Sequence, residues 1–274
     1  MLKQRVITAL IALPILIAAI WFGTPWFTIL MAAITLVGII EFYRMATSAN
    51  IQPLTYFGIA CAVLLASIPH CQYIGAAPFL LTLAIIISLI WSLSQLPRER
   101  AFHNWTWTMA GILYIGWMLS YWVCLRLLEN GLEWVFFAAL TTVASDTSAF
   151  FIGRAWGKRR IAPTISPNKT WEGALAGFLG AIAAALILKA IFSLPPFFLP
   201  INYWQATLLG AGVSIFAQLG DLVESLLKRN TGNKDSGNLL PGHGGILDRV
   251  DGFLFSGVMV YYFVILTDII IKIP

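Results

Sequence analysis

Long apolar runs, broken by short clusters of Gly, Pro and polar residues, dominate this chain. A helix needs about 20 mostly apolar residues to cross the hydrocarbon core of a bilayer. By that measure nine segments qualify, at approximately 5–22, 26–44, 53–69, 73–94, 104–126, 133–153, 171–194, 203–225 and 252–272. The early ones are separated by Gly23-Thr24-Pro25, by the stretch from Ser48 to Pro53, and by Pro69-His70. The third and fourth are the weakest, being short or carrying Pro78 inside. No internal repeat is visible. The pattern predicts an all-α polytopic membrane protein of about nine transmembrane helices.

Composition agrees. The chain is 59% hydrophobic and 11% charged over 274 residues, whereas soluble domains carry about a quarter charged residues. The net charge of +5 does not require nucleic acid, because basic loops are what hold a membrane protein in its topology. No nucleic-acid partner is expected. With the N-terminus inside, fourteen of the 17 Lys and Arg fall on the cytoplasmic side, leaving Arg126 and Lys272 outside and Lys189 within a span. That asymmetry predicts a cytoplasmic N-terminus, an outer C-terminus and an odd number of spans. Lys3 and Arg5 precede the first apolar stretch, as in a secretory signal. The stretch is long and ends in Trp21-Phe22 without a small-residue cleavage pattern, so it reads as a retained helix. Transit-peptide composition is absent, which points to a bacterial plasma (inner) membrane. Cys61, Cys71 and Cys124 fit no metal or redox spacing and read as small apolar residues.

Two cytoplasmic segments stand apart from the short connectors. They are 154–170, RAWGKRRIAPTISPNKT, and 226–251, LLKRNTGNKDSGNLLPGHGGILDRVD. Loops this long in a compact protein are usually functional or disordered, and their mixed chemistry favours function. The chain thus divides into 1–126, mainly scaffold, and 127–274, a catalytic region carrying both loops.

Acidic residues at membrane depth are costly and mark functional sites by default. Asp146 sits in the sixth span. Asp221, Glu224, Ser225 and Lys228 share one face of the eighth by their i, i+3, i+4 and i+7 spacing. Glu41 and Asp268 lie near span ends and read as structural. A further acidic cluster, Asp248-Arg249-Val250-Asp251, opens the ninth span after His243-Gly244-Gly245. Clustered carboxylates with few sulfur or imidazole ligands suit a hard divalent cation such as Mg2+, alone or with a second cation. Lys228, Arg229, Lys234 and Arg249 could neutralise a phosphorylated ligand. Gly244 and Gly245 would let the backbone approach phosphate oxygens. Acid for metal, base for phosphate and Gly for access describe a phosphoryl or nucleotidyl transfer site. It is not a P-loop: Gly153 to Lys158 has the wrong spacing and no Ser/Thr follows the Lys. His243 reads as packing or a turn donor rather than a proton carrier, since this chemistry rests on positioning and charge neutralisation. Lys158-Arg159-Arg160 reads as a topological anchor.

The segment Ser225 to Asp251 resembles the signature of the phosphatidate cytidylyltransferases, or CDP-diacylglycerol synthases. The likeness lies in Ser225, Lys228-Arg229, Lys234-Asp235, His243-Gly244-Gly245 and Asp248-Arg249-x-Asp251. Upstream it includes Asp146, Gly153-Arg154, Gly157-Lys158, Ser166-Pro167, Lys169-Thr170 and Glu172-Gly173. These motifs cover the second half of the chain, and the first five spans match in hydropathy alone. Gly177-Phe178 departs from the Gly-Gly step expected after Glu-Gly.

The resemblance implies condensation of CTP with phosphatidic acid to CDP-diacylglycerol and pyrophosphate, a divalent cation requirement, and a homodimer with polar cavities open to the cytoplasm. It implies Asp221 and Asp248 as metal ligands, joined here by Asp251, with Asp146 and Lys169 in the same cavity as catalytic residues. Lys228, Arg229, Lys234, His243, Gly244, Gly245 and Arg249 would contact the phosphates of CTP or phosphatidate. The rivals are a CTP-using lipid kinase, which would release CDP and no pyrophosphate, and a transporter. Transporters often show inverted repeats, which this chain lacks.

Overall fold

In hydrocarbon every backbone N–H and C=O must find its partner within the segment or a closed sheet. The apolar runs therefore fold as helices. The computed structural model describes residues 2–73, 75–95, 98–237 and 244–272. Its helices are α1 (Leu2–Phe22), α2 (Trp26–Ser48), α3 (Thr55–Ser67), α4 (Ala76–Ser92), α5 (Arg98–Gly111), α6 (Met118–Leu127), α7 (Gly131–Trp156), α8 (Trp171–Ile191), α9 (Tyr203–Asn230) and α10 (Leu247–Lys272). A π-turn over Ile112–Trp117 joins α5 and α6 into one rod.

Helix covers each of the nine apolar segments. Among the described residues six helices are long and apolar enough to cross a membrane, as in a multi-pass membrane protein: Trp26–Ser48, Arg98–Leu127, Gly131–Trp156, Trp171–Ile191, Tyr203–Asn230 and Leu247–Thr267. Ala12–Phe22, Thr55–Cys71 and Ala76–Ser92 are shorter apolar helices. At 13 and 17 residues, α3 and α4 fall below the roughly 20 residues that a straight crossing needs.

The chain forms two compact units. One holds the residues up to Cys124 together with Lys228–Val250; the other holds Leu125–Leu227 and the chain from Asp251 onward. The loop after α9 thus belongs with the N-terminal helices, whereas the sequence pattern groups it with the C-terminal ones.

The core of the first unit gathers around Ile39, Phe42, Tyr43, Leu65, Ile112 and Ile115, all buried. The Tyr43 hydroxyl donates to the Thr108 carbonyl at 2.7 Å. The backbone between α2 and α3 is satisfied by α5 side chains: Gln52 N donates to Asn104 Oδ1 at 2.9 Å and Leu54 N to Thr108 Oγ1 at 2.8 Å.

In the second unit, polar side chains link helices where apolar packing alone gives little specificity. Ser145 on α7 and Ser214 on α9 have their hydroxyls 2.7 Å apart. Gln218 Nε2 donates to Ser214 Oγ and to the Ala174 carbonyl on α8. Thr142 donates to Ser256 on α10 at 3.0 Å. The Gly177 departure falls at a close contact. A Cβ on Gly177 would lie 3.0 Å from the Ser145 carbonyl and 3.1 Å from Ala149 Cβ. Gly173 and Gly180 on α8 also lie tight against α7, so Gly177 is one of several glycines at this approach, and Phe178 takes the position after it.

The 154–170 segment is not plain loop. It forms a small antiparallel hairpin, β1 (Arg160–Ala162) and β2 (Ser166–Thr170), with a register shift between Arg160 and Ala162. The sequence does not announce it. Two prolines sit in the segment, and neither strand alternates apolar and polar residues.

Candidate active site

Two constellations of charge are built on this frame, one in each unit. In the second unit, α9 carries Asp221 and Glu224 on successive turns, and Asp251 comes from the first turn of α10. One ligand oxygen from each of the three lies within 4.8 Å of the others. Gly220 makes this approach possible, since a Cβ there would meet the Asp251 carbonyl at 2.5 Å. Glu224 is fully buried, while the Asp221 side chain is 40% exposed. The group thus has a buried floor and an open side.

Lys169 closes against it. Its ammonium lies 2.7 Å from Asp221 Oδ2 and 3.5 Å from the Gln218 carbonyl. Asp146, on an exposed stretch of α7, is near enough for its charge to be felt by Asp221 and Asp251, with Lys169 opposing. Asp146, Asp221, Glu224 and Asp251 thus share this region with the Lys169 ammonium.

The hairpin explains how Lys169 is held. Thr170 caps α8, its Oγ1 accepting Gly173 N at 3.2 Å, as N-cap threonines do. The Glu172 carboxylate accepts Lys158 N at 3.1 Å and Arg159 N at 3.2 Å. Trp171 N donates to the Arg159 carbonyl at 2.9 Å, and Arg160 bonds the Pro167 carbonyl. The Lys169-Thr170 and Glu172-Gly173 motifs therefore form the mount of the lysine. Lys158-Arg159 contributes backbone to that mount.

In the first unit, Lys228, Ser236 and Gly245 gather around Asp248. Lys228, in the last turn of α9, places its ammonium 2.8 Å from Asp248 Oδ1, and both side chains are largely buried. Asp248 Oδ2 accepts Ser236 N at 3.0 Å, Ser236 Oγ at 2.9 Å and Gly245 N at 2.9 Å. Gly244 has φ +82°, in the left-handed region that favours glycine. The dipoles agree: a carboxylate opens α10, and cations end α9.

Asp146, Lys169, Asp221 and Asp251 fall together. Asp248, expected among the metal ligands, has its oxygens engaged by Lys228, Ser236 and Gly245, and Glu224 joins Asp221 and Asp251. Gly244 and Gly245 line the Asp248 loop. Lys234, Arg229 and Arg249 are exposed on or beside it. His243 lies outside the described residues. Glu224 had a signal, its i+3 spacing from Asp221. Glu41 had only its position near a span end, and it is buried at 3% exposure against the Asp248 loop.

The three-carboxylate group fits a hard divalent cation. All its donors are oxygens, and Mg2+ is bound by carboxylates together with substrate phosphates.

The model of the cytidylyltransferase family matches residues 3–267. The chain belongs to the cytidylyltransferase family. The match covers the early helices as well as the motif-bearing half. The chain is similar to phosphatidate cytidylyltransferase of Bacillus subtilis (strain 168), with 36% identity over 265 residues, 95% of this chain and 97% of that one. It is similar to phosphatidate cytidylyltransferase 4, chloroplastic, of Arabidopsis thaliana, at 34% identity over 96% of this chain and 73% of the relative. The Brucella abortus (strain 2308) phosphatidate cytidylyltransferase is 33% identical over 96% of this chain and 93% of its own. For this family member, the Lys169 mount and the Asp248 loop are thus parts of a scaffold matched along nearly its whole length.

Proposed function

We propose that this chain transfers the cytidylyl group of CTP to phosphatidic acid, giving CDP-diacylglycerol and pyrophosphate for phospholipid biosynthesis. The observation that carries the reading is the near full-length similarity to phosphatidate cytidylyltransferases, in a chain whose Lys169 pairs with Asp221 beside further carboxylates.

The reaction brings two anions together, so repulsion is the first obstacle. A phosphate oxygen of phosphatidic acid forms a bond to the α-phosphorus of CTP. The bond from that phosphorus to the bridging oxygen breaks, and pyrophosphate leaves. The phosphomonoester has a second pKa of about 6, so it is already a nucleophile near neutral pH. No dedicated general base is required. Lys169 can turn its ammonium from Asp221 to an incoming phosphate oxygen, stabilising charge where it develops. Asp221, Glu224 and Asp251 would hold a divalent cation such as Mg2+, which when bound supplies further neutralisation of the phosphates. Lys228, Gly244 and Gly245, with Arg229, Lys234 and Arg249 nearby, supply charge and backbone donors suited to phosphates. His243 belongs to the same stretch of sequence.

The nine apolar segments and the basic asymmetry support a cytoplasmic N-terminus, an outer C-terminus and an active site facing the cytoplasm. On this reading the enzyme resides in the plasma (inner) membrane as a homodimer, taking CTP from the cytosol and phosphatidic acid from the bilayer.

The test is turnover in detergent micelles, with CTP labelled on the α-phosphorus, phosphatidic acid, and Mg2+ added or withheld. Label passing into CDP-diacylglycerol with release of pyrophosphate is expected, and only with the cation present. Label recovered as CDP, beside a phosphorylated alcohol supplied as substrate, would replace the reading with a lipid kinase.

A further inference from the structure

Glu41 belongs to α2, in the run Glu41-Phe42-Tyr43-Arg44, about two hundred residues before the loop it touches. A carboxylate buried to this degree is stable only when its oxygens are met by donors. Those donors come from the Asp248 loop. Glu41 Oε1 accepts Ile246 N at 3.1 Å, and Oε2 accepts Leu247 N at 2.9 Å and Ser236 Oγ at 3.3 Å. Leu247 is the first residue of α10, so these are N–H groups that the helix itself leaves without an intrahelical acceptor. Glu41 therefore caps α10 from a distant helix.

The glycines of the loop are matched to it. A Cβ on Gly245 would lie 2.5 Å from Glu41 Oε2, and one on Gly237 would lie 2.7 Å from Oε1. The chain closes on the carboxylate from two sides, and no larger residue fits at either place without a shift.

This contact passes on to the charged pair. Ser236 Oγ lies 3.3 Å from Glu41 and 2.9 Å from Asp248 Oδ2, and it accepts Asp248 N at 3.3 Å. Asp248 in turn sets the Lys228 ammonium at 2.8 Å. Glu41, Ser236, Asp248 and Lys228 make one continuous chain of hydrogen bonds within the first unit.

We propose that Glu41 is a positioning residue: it holds 236–237 and 244–247 in register, so that Asp248 sets the Lys228 ammonium where it meets the nucleotide phosphates. The effect on turnover rests on the cytidylyl-transfer reading above; the hold on the loop does not. Glu41→Gln separates the two. The amide keeps the size of the side chain but turns an NH2 toward a backbone N–H, so one capping bond is lost and two donors face each other.

The experiment uses the full-length protein in detergent micelles. Hydrogen exchange is followed at 236–237 and 244–248 and, as a reference, over α8. Glu41→Gln is expected to speed exchange at the loop by about tenfold, the scale of one lost charge-assisted hydrogen bond, with α8 unchanged. It is expected to raise KM for CTP by about tenfold and to leave KM for phosphatidic acid within about twofold. A purely structural role would instead reduce the folded fraction, lowering apparent kcat and leaving both KM values alone. Unchanged exchange at the loop, or exchange raised equally over α8, overturns the proposal. Unchanged KM for CTP beside a loosened loop overturns its functional half. A wild-type protein that fails to turn over CTP would sink the function while the exchange result still decides what Glu41 holds. Should Glu41→Gln not fold, Glu41→Asp, one methylene short, is expected to give the same pattern at smaller amplitude, and unchanged exchange there overturns the proposal equally.

Discussion

The Lys169 ammonium lies 2.7 Å from Asp221 Oδ2, joining the last part of the β1–β2 hairpin to the C-terminal half of α9. The pair is partly open, with side chains 22% and 40% exposed. Pairs that open to solvent contribute only about 0–1 kcal/mol to stability. Lys169→Met should therefore leave the thermal midpoint almost unchanged. If the ammonium stabilises phosphate charge, kcat/KM should fall on the order of 100- to 1000-fold. Thermal unfolding and CTP turnover measured on one preparation check this, and an unaltered rate would reject the role.

The Lys228–Asp248 pair behaves differently because both side chains are largely buried. Asp248→Asn takes the charge from a carboxylate that meets the Lys228 ammonium and three loop donors. Breaking a buried pair costs about 3 kcal/mol or more. A lowered thermal midpoint together with lost turnover is expected. Full stability in this variant would show that the loop does not depend on the pair.

Glu224 is the buried member of the three-carboxylate group. Glu224→Gln should raise the Mg2+ concentration needed for half-maximal rate by on the order of 10- to 100-fold. A Mg2+ titration at saturating CTP reads this directly, and an unshifted curve would remove Glu224 from the ligand set.

Three carboxylates whose oxygens lie within 4.8 Å repel one another. A bound cation relieves that repulsion only in the folded state. Mg2+ at a hundredfold excess over its Kd should stabilise the protein by about 2.7 kcal/mol without any nucleotide. Chelation with EDTA should lower the thermal midpoint, and Asp221→Asn should abolish the difference.

Gly220 has no room for a side chain, because a Cβ would meet the Asp251 carbonyl. Gly220→Ala must push α9 and α10 apart or shift Asp251. Overpacking of this kind costs about 1–3 kcal/mol. The midpoint should fall, and the Mg2+ requirement should rise with it. A variant with unchanged Mg2+ dependence would show that the helices yield elsewhere.

Much of this was legible in the chain alone. Each apolar run became helix, because in hydrocarbon the local sequence must satisfy its own backbone and few alternatives exist. Asp221 with Glu224 was readable for the same reason: helix periodicity places neighbours at i+3. The strong motifs marked both charged segments, and the family match to residues 3–267 extended the likeness over the first half.

What the sequence by itself determined, then, is local: which segments are helical, where charge is concentrated, and which chemistry those charges suit. Only the tertiary structure decided which charges meet. It put Glu224 beside Asp221 and Asp251, engaged Asp248 within its own loop, and mounted Lys169 on a hairpin that no alternation foretold. It also brought Glu41 to Leu247, 206 positions along the chain. Such pairings depend on where the chain turns and which helices pack. A carboxylate at a span end looks the same in sequence whether it faces water or caps another helix, because its donors are backbone N–H groups common to every residue but proline.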